Sequence, residues 1–259
     1  MRAERVEEQK TGEVIQFRNK TNDSNVAKMP KLKKDKTPKM TPCNSFEGDP
    51  KTVYPIKNKQ DVENIKQYFL KRSQEATNKE DKKIYARYAM LWVLGINTGR
   101  RMSDIVKLQW GDIFYEGREY KTEGNRIKEK KTKKYKTIFL NKYAMEAIDN
   151  YIDEFNPCLD SDHFIFKSRE TNAKKPHIQV QTVGKALQVA ANACGIKVNV
   201  NTHTVRKTFG YNWYMLHIDD VDALTHLQKL FNHSSPKVTL EYIGMDDEQT
   251  KKYFDDLEW

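Results

Sequence analysis

The sequence predicts an α+β fold, mainly helical, with one small three-stranded antiparallel sheet. Three observations predict it. Apolar residues recur at helical spacing through most of the chain after residue 54, strand-like patterning is confined to residues 112–140, and the first fifty residues carry little apolar periodicity. With 259 residues and a hydrophobic fraction of 37%, the chain has material for one large domain with a charged surface.

Residues 1–50 read as a disordered basic arm: they hold Lys31, Lys33, Lys34 and Lys36 and, beyond Val14, Ile15 and Phe17, little that could form a core. Residues 51–259 read as the folded domain, closing in a C-terminal tail helix. Val62, Ile65 and Phe69 mark the first helix, with Asp61 near its start. Residues 84–96 are apolar on nearly every face, the pattern of a central buried helix, and Gly99 lets the chain turn sharply after it. A short helix follows from Ser103, with Ile105, Val106 and Leu108 inward.

Asp112 to Tyr115 reads as the first strand. Ile127 to Lys131 and Tyr135 to Leu140 read as the second and third, joined by a tight basic turn. Helical spacing returns with Asn141 as N-cap and Tyr143, Ile148, Tyr151, Ile152 and Phe155 inward. Val183, Leu187, Ala190 and Ala191 mark another helix, closed by Gly195. Thr202 caps a helix through Phe209, Trp213 and Leu216; Leu224, Leu227, Leu230 and Phe231 mark the next. Ser235-Pro236 starts the last, serine as cap and proline in the first turn.

Composition narrows the function. The net charge of +10 favours a polyanionic partner, although a merely basic surface would give the same number. Cys43, Cys158 and Cys194 form no paired framework, which fits a reducing cytoplasm and packing roles. No run of about 18 apolar residues would span a membrane. No zinc-ligand spacing and no phosphate-binding GxxxxGK[ST] loop occurs, so the expectation is no metal and no nucleotide cofactor.

The chemistry-bearing residues lie far apart in the chain. Thr98-Gly99-Arg100-Arg101 puts an arginine just after a helix break, where a guanidinium can grip a phosphate in two-pronged fashion. Asp104 is placed to hold that arginine, or simply to favour the helix dipole. His203-x-x-Arg206 sets imidazole and guanidinium on the first turn of a helix, whose N-terminus adds positive potential. His233 follows, and Tyr242 lies nine residues after it, beyond the capped Ser235-Pro236 turn. A free phenol is only about 0.1% ionised at pH 7, a deficit near 4 kcal/mol, so a tyrosine nucleophile needs cations and a base around it. Lys128, Lys130, Lys131, Lys133, Lys134 and Lys136 crowd the hairpin, a pattern that suits phosphate-backbone contacts.

In order and spacing, these motifs resemble the tyrosine recombinase, or phage integrase, family from about Tyr54 to about Ile243. The matching stretches are Thr98-Gly99-Arg100-Arg101 with Ser103-Asp104, Lys131-Thr132, His203 to Phe209, Asn232-His233-Ser234-Ser235, and Tyr242. The resemblance implies a tyrosine recombinase-like catalytic domain that cleaves and rejoins DNA at specific sites through a 3′-phosphotyrosyl intermediate. It implies Tyr242 as nucleophile and Arg101 and Arg206 on the non-bridging oxygens. His203 and His233 would donate hydrogen bonds or shuttle the proton. Lys131 would protonate the leaving 5′-oxygen, with Lys130 and Lys133 as alternatives.

The TGxR pattern selects Arg101 over Arg100. The implied partner is double-stranded DNA carrying specific sites, bound by a multimer, a tetramer, with no metal or ATP. A non-catalytic DNA-binding protein of recombinase descent and a type IB topoisomerase-like relaxing enzyme are the alternatives. The chain departs from the family pattern at its start: only about fifty polar residues precede Tyr54, too few for the usual helical clamp of roughly a hundred.

Overall fold

The structure is a computed structural model that describes residues 53–121, 125–128, 135–169, 176–245 and 254–255, with backbone alone at 125–128 and 135–136. These residues fall in the unit Pro42–Trp259. The expected basic arm and nearly all of the C-terminal tail lie outside the described residues; of the tail, residues 254–255 are helical and Phe254 is exposed.

Helix α1 (Lys59–Glu75) starts where Asn58 Oδ1 accepts the Gln60 N–H at 2.8 Å. Its inner face presents Ile65 and Phe69 to α2 (Lys79–Thr98). Tyr88 to Gly95 of α2 are all buried, as the apolar run over every face requires, because α2 packs against α1, α5 and α7. Trp92, fully buried, donates its indole N–H to the Val62 carbonyl at 3.0 Å, so this large side chain enters the core without an orphaned donor. Gly99 ends α2 at φ 61°, and a Cβ there would lie 2.4 Å from the Phe209 ring.

Two single-turn helices follow, α3 (Met102–Ile105) and α4 (Trp110–Ile113). The sheet is smaller than the sequence pattern suggests. Among the described residues it has two strands, β1 (Asn125–Lys128) and β2 (Tyr135–Ile138), antiparallel with Asn125 opposite Ile138 and Lys128 opposite Tyr135. The expected first strand is instead the end of α4. Gln109 and Asp112 close a reciprocal cap around this turn, and the Phe114 N–H reaches back to the Trp110 carbonyl at 2.9 Å. Only Phe114 keeps strand-like pairing, as an isolated bridge to Tyr120.

Helix α5 (Lys142–Phe155) is capped by Asn141 as expected and buries Ile148, Tyr151, Ile152 and Phe155. Tyr143 does not turn inward: it is exposed, and Lys142 lies over its ring. Helix α6 (Val180–Ala193) buries Val183, Leu187, Ala190 and Ala191, and Gly195 adopts φ 69° just beyond it. Helix α7 (Thr202–Leu216) is capped by Asn201 rather than Thr202: the amide oxygen accepts the His203 N–H at 2.8 Å, and Thr204 returns a bond to the Asn201 N–H. Leu216, expected inward, is exposed at the fraying end of the helix.

Helices α8 (Ala223–Phe231) and α9 (Pro236–Ile243) follow, the latter capped by Ser235 with Pro236 in its first turn. Their apolar residues form a second, smaller core. Leu227, Phe231, Ile243 and Met245 are buried there, ringed by Phe209, Tyr211, Trp213, Tyr214, Leu230, Leu240 and Tyr242. The larger core takes side chains from α1 to α6 and ends on Val205 of α7. Helix α7 is therefore the shared wall: Val205 faces one core, Phe209 the other. Gly210 keeps the approach close, since a Cβ there would meet Ile243 and Phe231 at 2.7–2.8 Å.

Candidate functional site

The seam between the two cores brings together Arg206, His233 and Tyr242 of the residues that the motifs singled out. Arg206, on the first half of α7, is 3% exposed. Its guanidinium donates to the Gly99 carbonyl at 2.9 Å and to the Phe231 carbonyl at 2.9 Å, joining the C-terminus of α2 to that of α8. The same group lies over the Phe231 ring, 4.1 Å from its centroid. Burial pulls the Arg206 pKa down to about 10, with Tyr242 opposing and Arg101 and Arg100 adding to the fall; the group stays charged at neutral pH.

The two neighbouring arginines diverge. Arg100 is buried and donates to the Thr137 carbonyl of β2, so it is committed to the fold. Arg101 occupies the N-cap position of α3 and is exposed, while its charge is felt at Arg206, His233 and Tyr242. Burial thus separates the two: Arg100 is held inside the fold, and Arg101 is exposed. Asp104, in the same single-turn helix, donates its backbone N–H to the Arg101 carbonyl at 2.8 Å, and its charge acts on Arg206.

Tyr242 is half-buried near the end of α9. Its ring meets Phe231 edge-on at 5.5 Å and His233 at 4.9 Å, and the Lys207 ammonium lies over it at 5.1 Å. Burial raises the phenol pKa; the charges of Arg206 and Arg101 and a hydrogen bond with Arg206 work in the opposite direction. The phenol therefore lies within the electrostatic reach of both arginines.

His233 follows Asn232, whose φ of 55° ends α8 in the left-handed conformation. Its Nδ1 is 3.1 Å from Thr239 Oγ1, and that hydroxyl donates to the Ser235 carbonyl at 3.3 Å. A hydroxyl whose proton is so used accepts at its lone pair, which assigns the Nδ1–H tautomer and leaves Nε2 as the acceptor. Burial, then Arg206 and Arg101, hold the imidazole pKa below its usual value, so the ring is neutral at pH 7.

His203 sits in the first turn of α7 and is exposed. Lys130, Lys131, Lys133 and Lys134 lie outside the described residues, and Lys128 and Lys136 are described as backbone in β1 and β2. Lys207 and Thr239 were not singled out by the sequence motifs. Lys207 directly follows Arg206, yet the half-turn that puts it over Tyr242 depends on how α7 meets α9. Thr239 at four residues from Ser235 was the readable signal, a helical spacing that places it behind His233.

A possible cation-binding group lies elsewhere. Cys158, Asp160 and His163 bring their ligand atoms within 4.8 Å of one another on the loop after α5. Cys158 and Asp160 are exposed and His163 is half-buried, and the loop is tied to α4 through Gly111 and Trp110. Cys158 is exposed and Cys194 half-buried, so the cysteines are less buried than packing roles would suggest. No helix among the described residues is long and apolar enough to cross a membrane.

Comparison with known proteins bears on the family and the fold. The model of the phage integrase family matches residues 63–249. The probable integrase/recombinase YoeC of Bacillus subtilis (strain 168) is 34% identical over 199 residues, covering 77% of this chain and 93% of the relative. Among solved structures, the XerH site-specific recombinase bound to palindromic difH substrate in a post-cleavage complex superposes with a TM-score of 0.57 at 19% identity, over 80% of this chain and 54% of that one. The XerA recombinase gives a TM-score of 0.54 at 15% identity, over 80% and 68%. At such identities the two structures speak for the fold, and the family match together with the first relative speaks for descent. This chain belongs to the phage integrase family.

Proposed function

We propose that this protein is a site-specific DNA recombinase, with Tyr242 as its nucleophile and Arg101, Arg206, His203 and His233 around the scissile phosphate. The observation that carries this reading is the Arg206 guanidinium, buried between the Gly99 and Phe231 carbonyls and acting on Tyr242 together with Arg101. A buried, fully anchored cation next to a phenol is an arrangement suited to a pentavalent phosphate, where charge builds up on the non-bridging oxygens. The pre-set geometry lowers the reorganisation needed as that charge develops.

The chemistry is a pair of transesterifications. Tyr242 Oη attacks phosphorus, a 3′-phosphotyrosyl bond forms, and the bond to the 5′-oxygen breaks. The phenol proton passes to the Nε2 face of His233, whose neutral state and Nδ1–H tautomer suit it as acceptor. The departing 5′-oxygen takes its proton from a hairpin lysine, Lys131 or its neighbours Lys130 and Lys133. A 5′-hydroxyl from a second DNA strand then reverses these steps. Energy is conserved in the phosphotyrosyl bond, so the reaction runs without ATP and without metal.

The partner is double-stranded DNA carrying specific sites, gripped by Lys128, Lys130, Lys133, Lys134 and Lys136 of the hairpin and held by a multimer, a tetramer, of this chain. Residues 1–50 act as a basic arm beside the catalytic domain of residues 51–259, and the protein works in the cytoplasm. Incubation with pooled genomic fragments in EDTA, followed by denaturing electrophoresis, tests the reading. The wild type should form a covalent protein–DNA adduct and Tyr242→Phe none; an adduct that appears only with added magnesium contradicts it.

A further inference from the structure

Residues 54–57 lead into α1, yet four contacts tie them to the C-terminal part of the sequence. Ile56 is 2% exposed within the large core, and its N–H donates to Thr208 Oγ1 at 2.9 Å, across 152 positions of chain. Thr208 is fully buried and lies two residues after Arg206 on α7. Lys57 Nζ donates to the Gly244 carbonyl at 3.3 Å and lies 5.2 Å from the Tyr211 ring centroid. Pro55 packs on Gly244, where a Cβ would come within 3.3 Å of its ring.

Gly244 is the left-handed C-cap of α9, at φ 72°, two residues beyond Tyr242. A helix of eight residues has little stability of its own and takes its order from what it touches. Among the described residues its neighbours are α7 and α8, which hold its last turn through the fully buried Ile243, and the strap adds a hold on the cap itself. A cation on the terminal carbonyl also complements the negative end of the helix dipole.

We infer that residues 55–57 form a strap that positions the Tyr242 helix, with Lys57 as the positioning residue that closes it. Ile56 anchors the strap in the large core and to α7; Pro55 and Lys57 hold the end of α9. Fraying of that turn would swing the phenol away from the arginines, and small misplacements of a reacting group cost rate steeply. The catalytic consequence rests on Tyr242 being the nucleophile; the mechanical one does not.

The test compares full-length wild type, Lys57→Met and Lys57→Arg by hydrogen exchange, by DNA binding, and by single-turnover adduct formation at saturating DNA. In Lys57→Met, the amides of residues 240–245 should exchange faster while those of α2 keep their protection. Adduct formation should slow about tenfold at unchanged DNA affinity, and Lys57→Arg should restore both readouts. Thr208→Val, which removes the acceptor for the Ile56 N–H, should loosen the same segment. Wild-type exchange at residues 240–245 in Lys57→Met overturns the strap, as does a loss of rate explained wholly by weaker DNA binding. Should the wild type form no adduct at all, the exchange result still decides the strap, and only the recombinase reading fails.

Discussion

The large core and the small one use the same kinds of side chain to different ends. The large core stacks α1, α2, α5 and α6 around fully buried residues such as Trp92, Phe69 and Leu91, each contributing roughly 1.5–3 kcal/mol by burial. In the small core four buried residues are ringed by half-buried aromatics, and α9 is eight residues long. Regions with few buried contacts open more readily than the whole molecule unfolds. Tyr242, the nucleophile under the proposed function, thus belongs to the smaller core among the described residues, and Arg206 stands on the wall between the two. Under the proposed function, an anchored Arg206 beside a tyrosine on the smaller core suits a reaction in which the tyrosine engages one phosphate and later lets go.

Tyr242→Phe should have the largest effect on chemistry and the smallest on fold. Under the proposed function it removes the attacking oxygen, so adduct formation should fall on the order of 10⁴-fold or more. The ring contacts with Phe231 and His233 survive, so the melting temperature should hold. An active Tyr242→Phe protein would place the chemistry elsewhere.

Arg206→Lys strikes both bodies at once. A single ammonium cannot serve the Gly99 and Phe231 carbonyls and also grip a phosphate in two-pronged fashion. Adduct formation should drop roughly 10²–10³-fold. Leaving a buried carbonyl unpaired should cost about 1–3 kcal/mol of stability by denaturant titration.

A matched pair of truncations sharpens the contrast. Leu91→Ala should lower global stability by about 2–5 kcal/mol. Leu227→Ala should mainly strip hydrogen-exchange protection from α8 and α9 while α2 keeps its own. Equal loss in both regions would show one cooperative body rather than two.

The smallest effect concerns His233. Its pKa is held below 6.5, so the imidazole is neutral at pH 7 and gains a proton only as pH falls through that lowered value. The adduct rate at saturating DNA should therefore decline on the acid side and not between pH 7 and 8 on account of this group. Thr239→Val removes the partner of Nδ1 and should slow adduct formation roughly fivefold, the worth of one hydrogen bond. A pH profile and rate unchanged in Thr239→Val would argue against the assigned tautomer.

Much of this was legible in the sequence where local rules decide. The all-round apolar run of α2, its glycine stop, the Asn141 cap and the Ser235-Pro236 start are short-range signals, and each appears in the structure. Asp112 to Tyr115 misled because a short apolar run such as Ile113-Phe114-Tyr115 looks alike in a strand and beside a capped turn; the Gln109–Asp112 reciprocal cap makes Asp112 and Ile113 the end of α4. Tyr143 and Leu216 misled because periodicity tells which residues share a face, not whether that face is covered. The motif residues of the seam could be named from spacing. The division of labour between Arg100 and Arg101, the Thr239 support and the hold on Gly244 depend on tertiary approach, which spacing does not encode.

The most direct measurement is mass-spectrometric mapping of the amino acid that carries DNA after the adduct is trapped, digested with nuclease and cleaved to peptides. A 3′-phosphonucleotide on Tyr242, formed in EDTA and without ATP, is the predicted result. DNA attached to any other residue, or no attachment by a folded wild-type protein on fragments that contain its site, would contradict the account.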